Sequence, residues 1–495
     1  MVGSELELHQ VIYSYLLTQI QFGFYRCGES LPGMEELSRQ SHISLDTVTQ
    51  AYHRLYREGV ISLTQKAGAK VAVSYSQEKI DGHVRRYFAQ RETALRDLSR
   101  SIWPLFGWAL WLSLKHSPPE AAERMVELTR GEHNPPTVIW QHLEQQYGAL
   151  GNDLLMRLMR YIYLFFQGPF YCVEENRPYF EQGLFWQQNI AVLSRDENWT
   201  TLASALKTAQ DDLAHAVARF YGEEPGGTAP QIGFQWNAYK KSAQMRYSLA
   251  IELLTGISRG TYPVGGFLPA AHRLADEKGV SVSTVRRTIS LLNGIGAVKS
   301  FRTRGAQVLS PAQSTENSDL TQPDIQNRLL DMAAGIQIYA LSAKAVSEIT
   351  LACLDDDGFR LWKERLLDLQ RGQRLELMTY VSMGLIAEHA PYQTIRTIYS
   401  ELLRLLFWGH PLRGMRGTPE SIDRAAAPFF QRMLQALEER DVPGFSAVLE
   451  QLLVRELRVT IDQLVQLGVP GAEHILVPGR GEFWGATDQA LLTKI

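Results

Sequence analysis

The side chains best placed to do chemistry are basic. Arg286 and Arg287 are adjacent, and Lys299, Arg302 and Arg304 follow closely. Residues 245–310 hold nine Lys/Arg against three Asp/Glu, a net charge of +6. Cations gathered in one place neutralise phosphates and release the counterions condensed on a nucleic acid. The same charges would also suit a plain solvated face. His272, Arg273, Ser281, Ser283 and Thr284 lie just upstream, and Gly305 follows the basic turn. Little else in the chain has chemical promise. No nucleophile–base set, paired-carboxylate site or glycine-rich phosphate loop is present, so no catalytic residues are expected and the chain does not read as an enzyme. Gly479-Arg-Gly481 lacks the strand and helix that a nucleotide loop needs. Asp212 and His215 lie three apart on one helical face, with His116, His133 and His142 upstream, but they form no recognisable ligand pattern. Neither a metal nor another cofactor is expected.

A basic cluster needs a scaffold, and the scaffold is repeated. Val280-Ser-Val-Ser-Thr-Val285 has a counterpart 237 positions earlier in Ile43-Ser-Leu-Asp-Thr-Val48. Leu31-Pro32 and Leu268-Pro269 keep that spacing, as do Gly68-Ala69 and Gly305-Ala306. One offset across about 40 residues marks two copies of one small domain. In the first copy, residues 8–26 have helical periodicity that ends at Gly23. A short helix over Met34–Gln40 follows. Ser44 then caps a helix over Leu45–Arg57 by accepting from the amide of Thr47, and that helix buries Val48, Ala51, Tyr52 and Leu55. Strands over Val60–Leu63 and Lys70–Val73 close the copy, with the hairpin tip at Gln65–Ala69. The second copy starts with a helix over Tyr247–Ile257. Ser281 is again the cap, and Val285, Ile289 and Leu292 face the core. The first copy is less charged. Residues 8–73 hold six Lys/Arg and five Asp/Glu, a net +1.

The motifs Leu31-Pro-Gly-Met-Glu-Glu-Leu-Ser38, Ile43-Ser-Leu-Asp-Thr-Val-Thr49, Glu58-Gly-Val-Ile61 and Ala67-Gly-Ala-Lys-Val71 resemble the winged helix–turn–helix of the GntR family of bacterial transcription regulators. Leu268-Pro-Ala-Ala-His-Arg-Leu-Ala275, Val280-Ser-Val-Ser-Thr-Val-Arg-Arg287 and Thr303-Arg-Gly-Ala-Gln-Val308 repeat the likeness. The resemblance implies double-stranded DNA as partner, with a recognition helix in the major groove and a wing reaching the minor groove. The DNA-facing residues it implies are His272, Arg273, Ser281, Ser283, Thr284, Arg286, Arg287, Lys299, Arg302, Arg304 and Gly305 in the second copy. In the first they are Ser44, Thr47, Thr49, Arg54, Lys66, Gly68 and Lys70. Three family arginines are missing from the first copy, where Glu35, Leu45 and Thr49 stand. His272 and Val282 replace two in the second, while Arg286 matches the third.

Between and after the copies the pattern is helical. Ala94–Ser113, Thr137–Gln146, Leu154–Phe166, Tyr179–Leu193 and Leu202–Phe220 carry apolar residues at three- and four-residue spacing, which indicates a bundle of six or so helices. Its layout is similar to the fatty-acid-regulator-like branch of the GntR family. Dense aromatics (Trp103, Phe106, Trp108, Trp111, Tyr161, Tyr163, Phe165, Phe166, Phe170 and Tyr171) make either a filled core or an effector pocket. Gly222–Pro230 is a Gly/Pro-rich break, with Trp236 and Tyr239 docking its far end. Residues 311–324 read as a polar linker and 326–466 as a second bundle. There Leu402–Gly409 echoes Tyr161–Gly168, and Phe429 echoes Phe185.

The fold class expected is mainly α. Two winged helix–turn–helix domains, each with a small β-wing, alternate with two all-α bundles in an internal pseudo-two-fold duplication. The boundaries are 1–76, 77–221, a linker at 222–243, 244–310, 311–466 and a tail or packing arm at 467–495. The reading is a cytoplasmic DNA-binding regulator, a covalent pseudo-dimer that is monomeric or forms a homodimer, with a possible small-molecule effector. The alternative is a winged-helix scaffold or ligand sensor that no longer binds DNA. With 495 residues, 45% hydrophobic and 21% charged, and a formal charge of -3, whole-chain composition does not decide between them. Cys27, Cys172 and Cys353 are scattered and odd in number, which fits a reducing compartment. The opening residues lack a signal-peptide pattern. The most membrane-like stretch, Ile102–Leu114, is too short to span a bilayer, so no membrane partner is expected.

Overall fold

The computed structural model of the chain describes residues 8–40, 43–64, 68–130, 135–222, 230–239, 245–415, 417, 419–479 and 482. Contacts divide the chain into two compact units. The first takes in Met1–Trp103, Leu110–Ala149 and Met156–Trp236; the second takes in Pro104–Ala109, Leu150–Leu155 and Asn237–Ile495.

The first unit opens with α1 (Leu8–Gln21), α2 (Met34–Gln40) and α3 (Leu45–Arg57), then an antiparallel hairpin of β1 (Ile61–Thr64) and β2 (Gly68–Val71). Both α2 and α3 have the bounds expected from sequence. At the start of α3 the Thr47 N–H donates to Ser44 Oγ at 3.4 Å, which satisfies an amide the first helical turn cannot pair. Val48, Ala51, Tyr52 and Leu55 form its fully buried stripe, packed in one core with Ile12 and Leu16 of α1. The Tyr52 hydroxyl donates to the Pro32 carbonyl at 2.7 Å and ties α3 to the turn before α2. The strands differ from expectation. Gly59, at φ 71°, turns the chain, the Val60 N–H is held by Leu55 O, and pairing therefore begins at Ile61.

The bundle of this unit has more helices than its periodicity shows. It comprises α4 (Gln77–Ala89), α5 (Glu92–His116), α6 (Pro119–Leu128), α7 (Pro135–Tyr147), α8 (Asp153–Ile162), α9 (Gly168–Tyr171), α10 (Arg177–Arg195) and α11 (Trp199–Tyr221). A π-helical turn, Tyr163–Gln167, joins α8 to α9. Helix α4 was hidden from periodicity because Phe88 is its one fully buried side chain. Phe88 meets Phe170 and Phe220 in an edge-to-face aromatic cluster. The apolar stretch Ile102–Leu114 lies inside α5 and is largely buried. The described end of the linker docks on this unit. Gln231 Nε2 donates to Ala89 O at 2.8 Å, and the Phe234 ring packs on Tyr161 and Phe165.

The second unit repeats the plan with α12 (Met245–Ser258), α13 (Ala271–Lys278), α14 (Val282–Gly294), β3 (Val298–Phe301) and β4 (Gly305–Val308). The repeat extends to backbone register. Ile61 pairs with Val71 and Val298 with Val308, while the bridges Ser30–Lys70 and Phe267–Gln307 add a third short edge in each copy. Left-handed glycines recur at the same offset: 23 with 260, 28 with 265, 59 with 296, and 68 with 305. Val285 and Leu292 are fully buried as expected. Ile289 is only half-buried, and Thr288 takes the inward position instead. Its hydroxyl donates to the Thr284 carbonyl at 3.0 Å, so the polar group is satisfied inside the core.

The second bundle holds α15 (Pro311–Asn317), α16 (Pro323–Ala352), α17 (Asp356–Arg371), α18 (Met378–His389), α19 (Gln393–Leu405), α20 (Pro419–Glu439) and α21 (Val442–Gln466). The expected linker over 311–324 is thus partly helix. Ser310 and Gln313 make a reciprocal capping box that starts α15, a device that stabilises even a polar helix. Helix α16 is long and apolar enough to cross a membrane, but 78% of its most apolar window is buried inside the protein, as in a core helix. The duplication continues into the bundles. Glu197 and Arg440, at φ 53° and 57°, are non-glycine residues in the left-handed region. Each precedes a capping side chain, Asn198 on α11 and Asp441 on α21. Residues 467–478 pack as an arm, burying Val469, Ala472 and Ile475. The Gly479-Arg-Gly481 motif lies in part outside the described residues.

Gly59 and Gly296 permit a controlled comparison. Both are left-handed, which costs an L-residue about 1–2 kcal/mol. A Cβ on Gly59 meets nothing within 4 Å, whereas one on Gly296 would overlap the Ser314 carbonyl. In denaturant titrations of the full chain, Gly59→Ala is expected to cost about 1–2 kcal/mol. Gly296→Ala is expected to cost clearly more.

Candidate nucleic-acid interface

The basic residues of the second copy lie on two elements whose positions the core fixes. Burial of Val285, Thr288 and Leu292 turns the opposite face of α14 outward, and Ser281, Val282, Ser283, Arg286 and Arg287 are exposed there, with Thr284 half-buried beside them. The Thr284 N–H donates to Ser281 Oγ at 3.1 Å. The Ser281 hydroxyl also meets Ser283 Oγ at 2.9 Å and Thr284 Oγ1 at 2.8 Å. Ser281 therefore caps the helix start, and the three hydroxyls form an exposed cluster there. On the wing, Lys299, Arg302, Arg304 and Gly305 are exposed. Gly305 sits at φ 92° just after the turn, a conformation glycine adopts without strain. From Val282 to Val308 there is no Asp or Glu. Among the described residues, Arg286, Arg287, Arg302 and Arg304 make no ion pair, while Lys299 donates to Asn317 Oδ1 at 3.2 Å. At the start of α13, His272 is exposed, and Arg273 is held by Glu277 at 2.8 Å.

The first copy presents the same surface with different chemistry. At the fixed offset, Thr49 and Gln50 stand where Arg286 and Arg287 do, and Asp46 stands for Ser283. Gln50 donates to Asp46 at 2.8 Å. Thr47 is buried, with its hydroxyl 2.6 Å from Ser44 Oγ, so it serves the cap and not the surface. Arg54 is drawn away from the outer face. Its guanidinium lies 3.9 Å from the Tyr13 ring centroid and pairs with Glu58 at 3.1 Å. Glu58 also accepts the Tyr13 hydroxyl. That hydrogen bond, helped by Arg54, lowers the Glu58 carboxyl below its usual range, while burial first and then Glu58 push Tyr13 up to about 12. Gly68 and Lys70 are exposed on β2. Lys66 and the rest of the hairpin tip at 65–67 lie outside the described residues. Leu45 and Tyr56 are exposed at 44% and 51%, an apolar contribution with no charge to match that of the second copy.

Sequence reasoning missed the internal use of Arg54, because Tyr13 and Glu58 come together only through packing of α1 on α3. The remaining candidate groups are also accounted for. Asp212 accepts from Trp186 Nε1 at 2.8 Å and Gln182 Nε2 at 2.9 Å. His215 is exposed and His142 buried, and His133 lies outside the described residues. Of the aromatic set considered for an effector pocket, Tyr163 lines a cavity; Phe106, Phe166 and Phe170 are fully buried core.

Residues 8–71 and 248–308 each match the family model described as bacterial regulatory proteins, gntR family. The chain carries two gntR-family domains in tandem. Domains of this family bind DNA. Solved structures that are similar include a GntR protein of Streptococcus agalactiae, with 17% identity over 43% of this chain and 99% of that one, at a TM-score of 0.21. McbR/YncC of E. coli has 13% identity over 45% of this chain and 100% of its own, at 0.22. A GntR-family transcriptional regulator of Pseudomonas syringae pv. tomato has 18% identity over 47% and 90%, at 0.20. No curated protein matches the chain.

The two gntR-family domains differ at Thr49/Arg286 and Gln50/Arg287. Placing arginines at both first-copy positions (Thr49→Arg with Gln50→Arg) is expected to tighten binding to duplex DNA. The plot of log affinity against log salt should steepen by about one to two units. Fluorescence anisotropy with a labelled duplex across a salt series measures both.

Proposed function

We propose that this chain is a transcription regulator that works as a covalent pseudo-dimer, with its two gntR-family domains as unequal DNA readers. One observation carries this reading: the exposed face of α14 and the wing of β3 and β4 hold five cations and no acid. On that reading α14 enters the major groove, where Arg286 and Arg287 meet phosphates or base edges, and Arg302 and Arg304 follow the wing to the neighbouring minor groove. His272, Arg273, Ser281, Ser283, Thr284, Lys299 and Gly305 complete this surface. The first reader, through Ser44, Thr49, Gly68, Lys66 and Lys70, adds register more than affinity. Thr47 supports it from within, and Arg54 from a half-exposed pair with Glu58 beside Tyr13.

An ordinary homodimeric regulator suits a near-palindromic site because its two-fold axis matches that of the DNA. Two different readers in one chain suit an asymmetric site. The helical bundles would supply the dimer-like core and a place for a small effector that shifts the balance between reader arrangements. The second reading is a winged-helix scaffold or ligand sensor without DNA binding. Leu45, Tyr56 and the near-neutral face of the first domain favour protein contact there.

Selection of genomic fragments by mobility shift, repeated across salt concentrations, separates these readings. A regulator enriches one fragment. A scaffold enriches none, or binds all alike and lets go at physiological salt. With the selected fragment, Arg286→Ala with Arg287→Ala should weaken binding at least about tenfold and reduce the salt slope by about two. Unchanged affinity at matched salt would remove the second domain from the interface.

A further inference from the structure

The wing of the second copy carries two exposed aromatic rings among its cations. Side chains alternate across a strand, so the burial of Val298 puts Lys299 and Phe301 on the outer face of β3. Register sets Lys299 opposite Gln307 and Phe301 opposite Gly305, and Phe267 bridges to Gln307 from the far side of β4. Gly305 has no side chain to stand between them. The Phe301 and Phe267 rings therefore meet across β4, edge to face, with centroids 6.4 Å apart. They remain 41% and 43% exposed, so the pair is an apolar patch on the surface and not part of the core. Such a patch, unlike a single exposed apolar residue, marks a contact site.

The first copy shows that the fold does not need these rings. At the fixed offset Ser30 and Thr64 stand for Phe267 and Phe301, in the same bridge and the same register. The surroundings of the pair select its partner. Lys299 shares the outer face, Arg302 follows Phe301 directly, Arg304 closes the turn, and no Asp or Glu lies between Val282 and Val308. Any surface that covers the rings must also meet this rim of one sign. DNA fits both demands, with phosphates for the cations and flat base faces for the rings.

We propose that Phe301, backed by Phe267, is a wedge that enters one base step of the duplex from the minor groove and kinks the DNA there. This rests on the second domain being a DNA reader. Unstacking one step is unfavourable, and it is offset by the contacts that a bent duplex gains with the protein. Phe267 supports the wedge from behind, because an edge-to-face pair holds its rings in a preferred geometry. The first reader has no such pair, so the kink is one-sided and falls in the half of the site that α14 reads. A base step that unstacks easily is then favoured at a position where no hydrogen bond reads the sequence. The ring is uncharged, so its removal releases no fewer counterions.

The test uses the full chain and the fragment chosen in the mobility-shift selection, cut to its bound length. Dyes at the two ends report bending by energy transfer. 2-Aminopurine, placed at one base step after another, brightens where stacking is lost. The unaltered chain should bend the duplex by about 20° or more and brighten one step, on one side of the site only. Phe301→Ala should abolish the brightening, straighten the duplex and weaken binding about tenfold, with the salt slope unchanged. Phe301→Leu, which keeps an apolar wedge, should retain the bend. A fragment that is bound tightly yet stays straight, with no brightened step, overturns the wedge and leaves the regulator reading standing. Failure to select any fragment removes the DNA reading and the wedge with it. Should Phe301→Ala leave affinity and bend untouched and instead abolish self-association seen by sedimentation, the patch is a protein contact and the proposal falls.

Discussion

Each reader depends on one packing event: a stripe of α3, or of α14, buried against the helix that opens its copy. In the first copy Val48, Ala51, Tyr52 and Leu55 supply that stripe. In the second, Val285, Thr288 and Leu292 do so. Once the stripe is fixed, the helix rotation is fixed, and so are the residues that face outward. The capping serines, the left-handed glycines at both ends of the hairpin and the Leu-Pro turn all act to hold that rotation. None of them sets the charge of the outer face. That face is free to change while the fold stays, and it has changed: the same backbone register presents Thr49 and Gln50 in one copy, and Arg286 and Arg287 in the other.

The readers and their caps were legible in the sequence because their causes are local. Ser44 and Ser281 sit three residues before the amides they accept, and a positive φ at Gly59 or Gly296 needs only glycine. Helix bounds at Met34–Gln40 and Leu45–Arg57 followed from those signals alone. Features with distant or weak causes were not legible. Helix α4 buries one large residue, too few to mark a period. Helix α15 is polar throughout and rests on a capping box that a composition-based reading passes over. Thr288 takes the core position expected of Ile289, because its hydroxyl can return to the Thr284 carbonyl.

The candidate interface was legible to a similar depth. Arg286, Arg287 and the wing cations are where the motif places them, exposed and free of acidic neighbours on their own elements. Thr47 stands in the motif yet is buried at the cap, and Arg54 lies half-exposed against Tyr13 and Glu58. A side chain's type and spacing tell which face of a helix it leaves from. They do not tell what another helix brings to meet it, and for Arg54 that is Tyr13, more than 40 positions away in the chain.

Tandem duplication has a physical consequence that a homodimer lacks. In a homodimer one substitution alters both readers, so a loss of charge is felt twice and the operator must stay symmetric. In one chain with two copies each reader bears its own substitutions. Under the proposed regulator function, the net +6 of the second copy would supply most of the long-range attraction, since that term scales with the phosphates neutralised. The first copy, at +1, would be released from that role. Its retained scaffold can hold other features, including a half-exposed Arg54–Glu58 ion pair beside Tyr13. The residues that hold the fold stayed alike because each copy still needs its own core; the residues that meet the outside are free to diverge, and under the proposed function one charged reader would suffice for attraction.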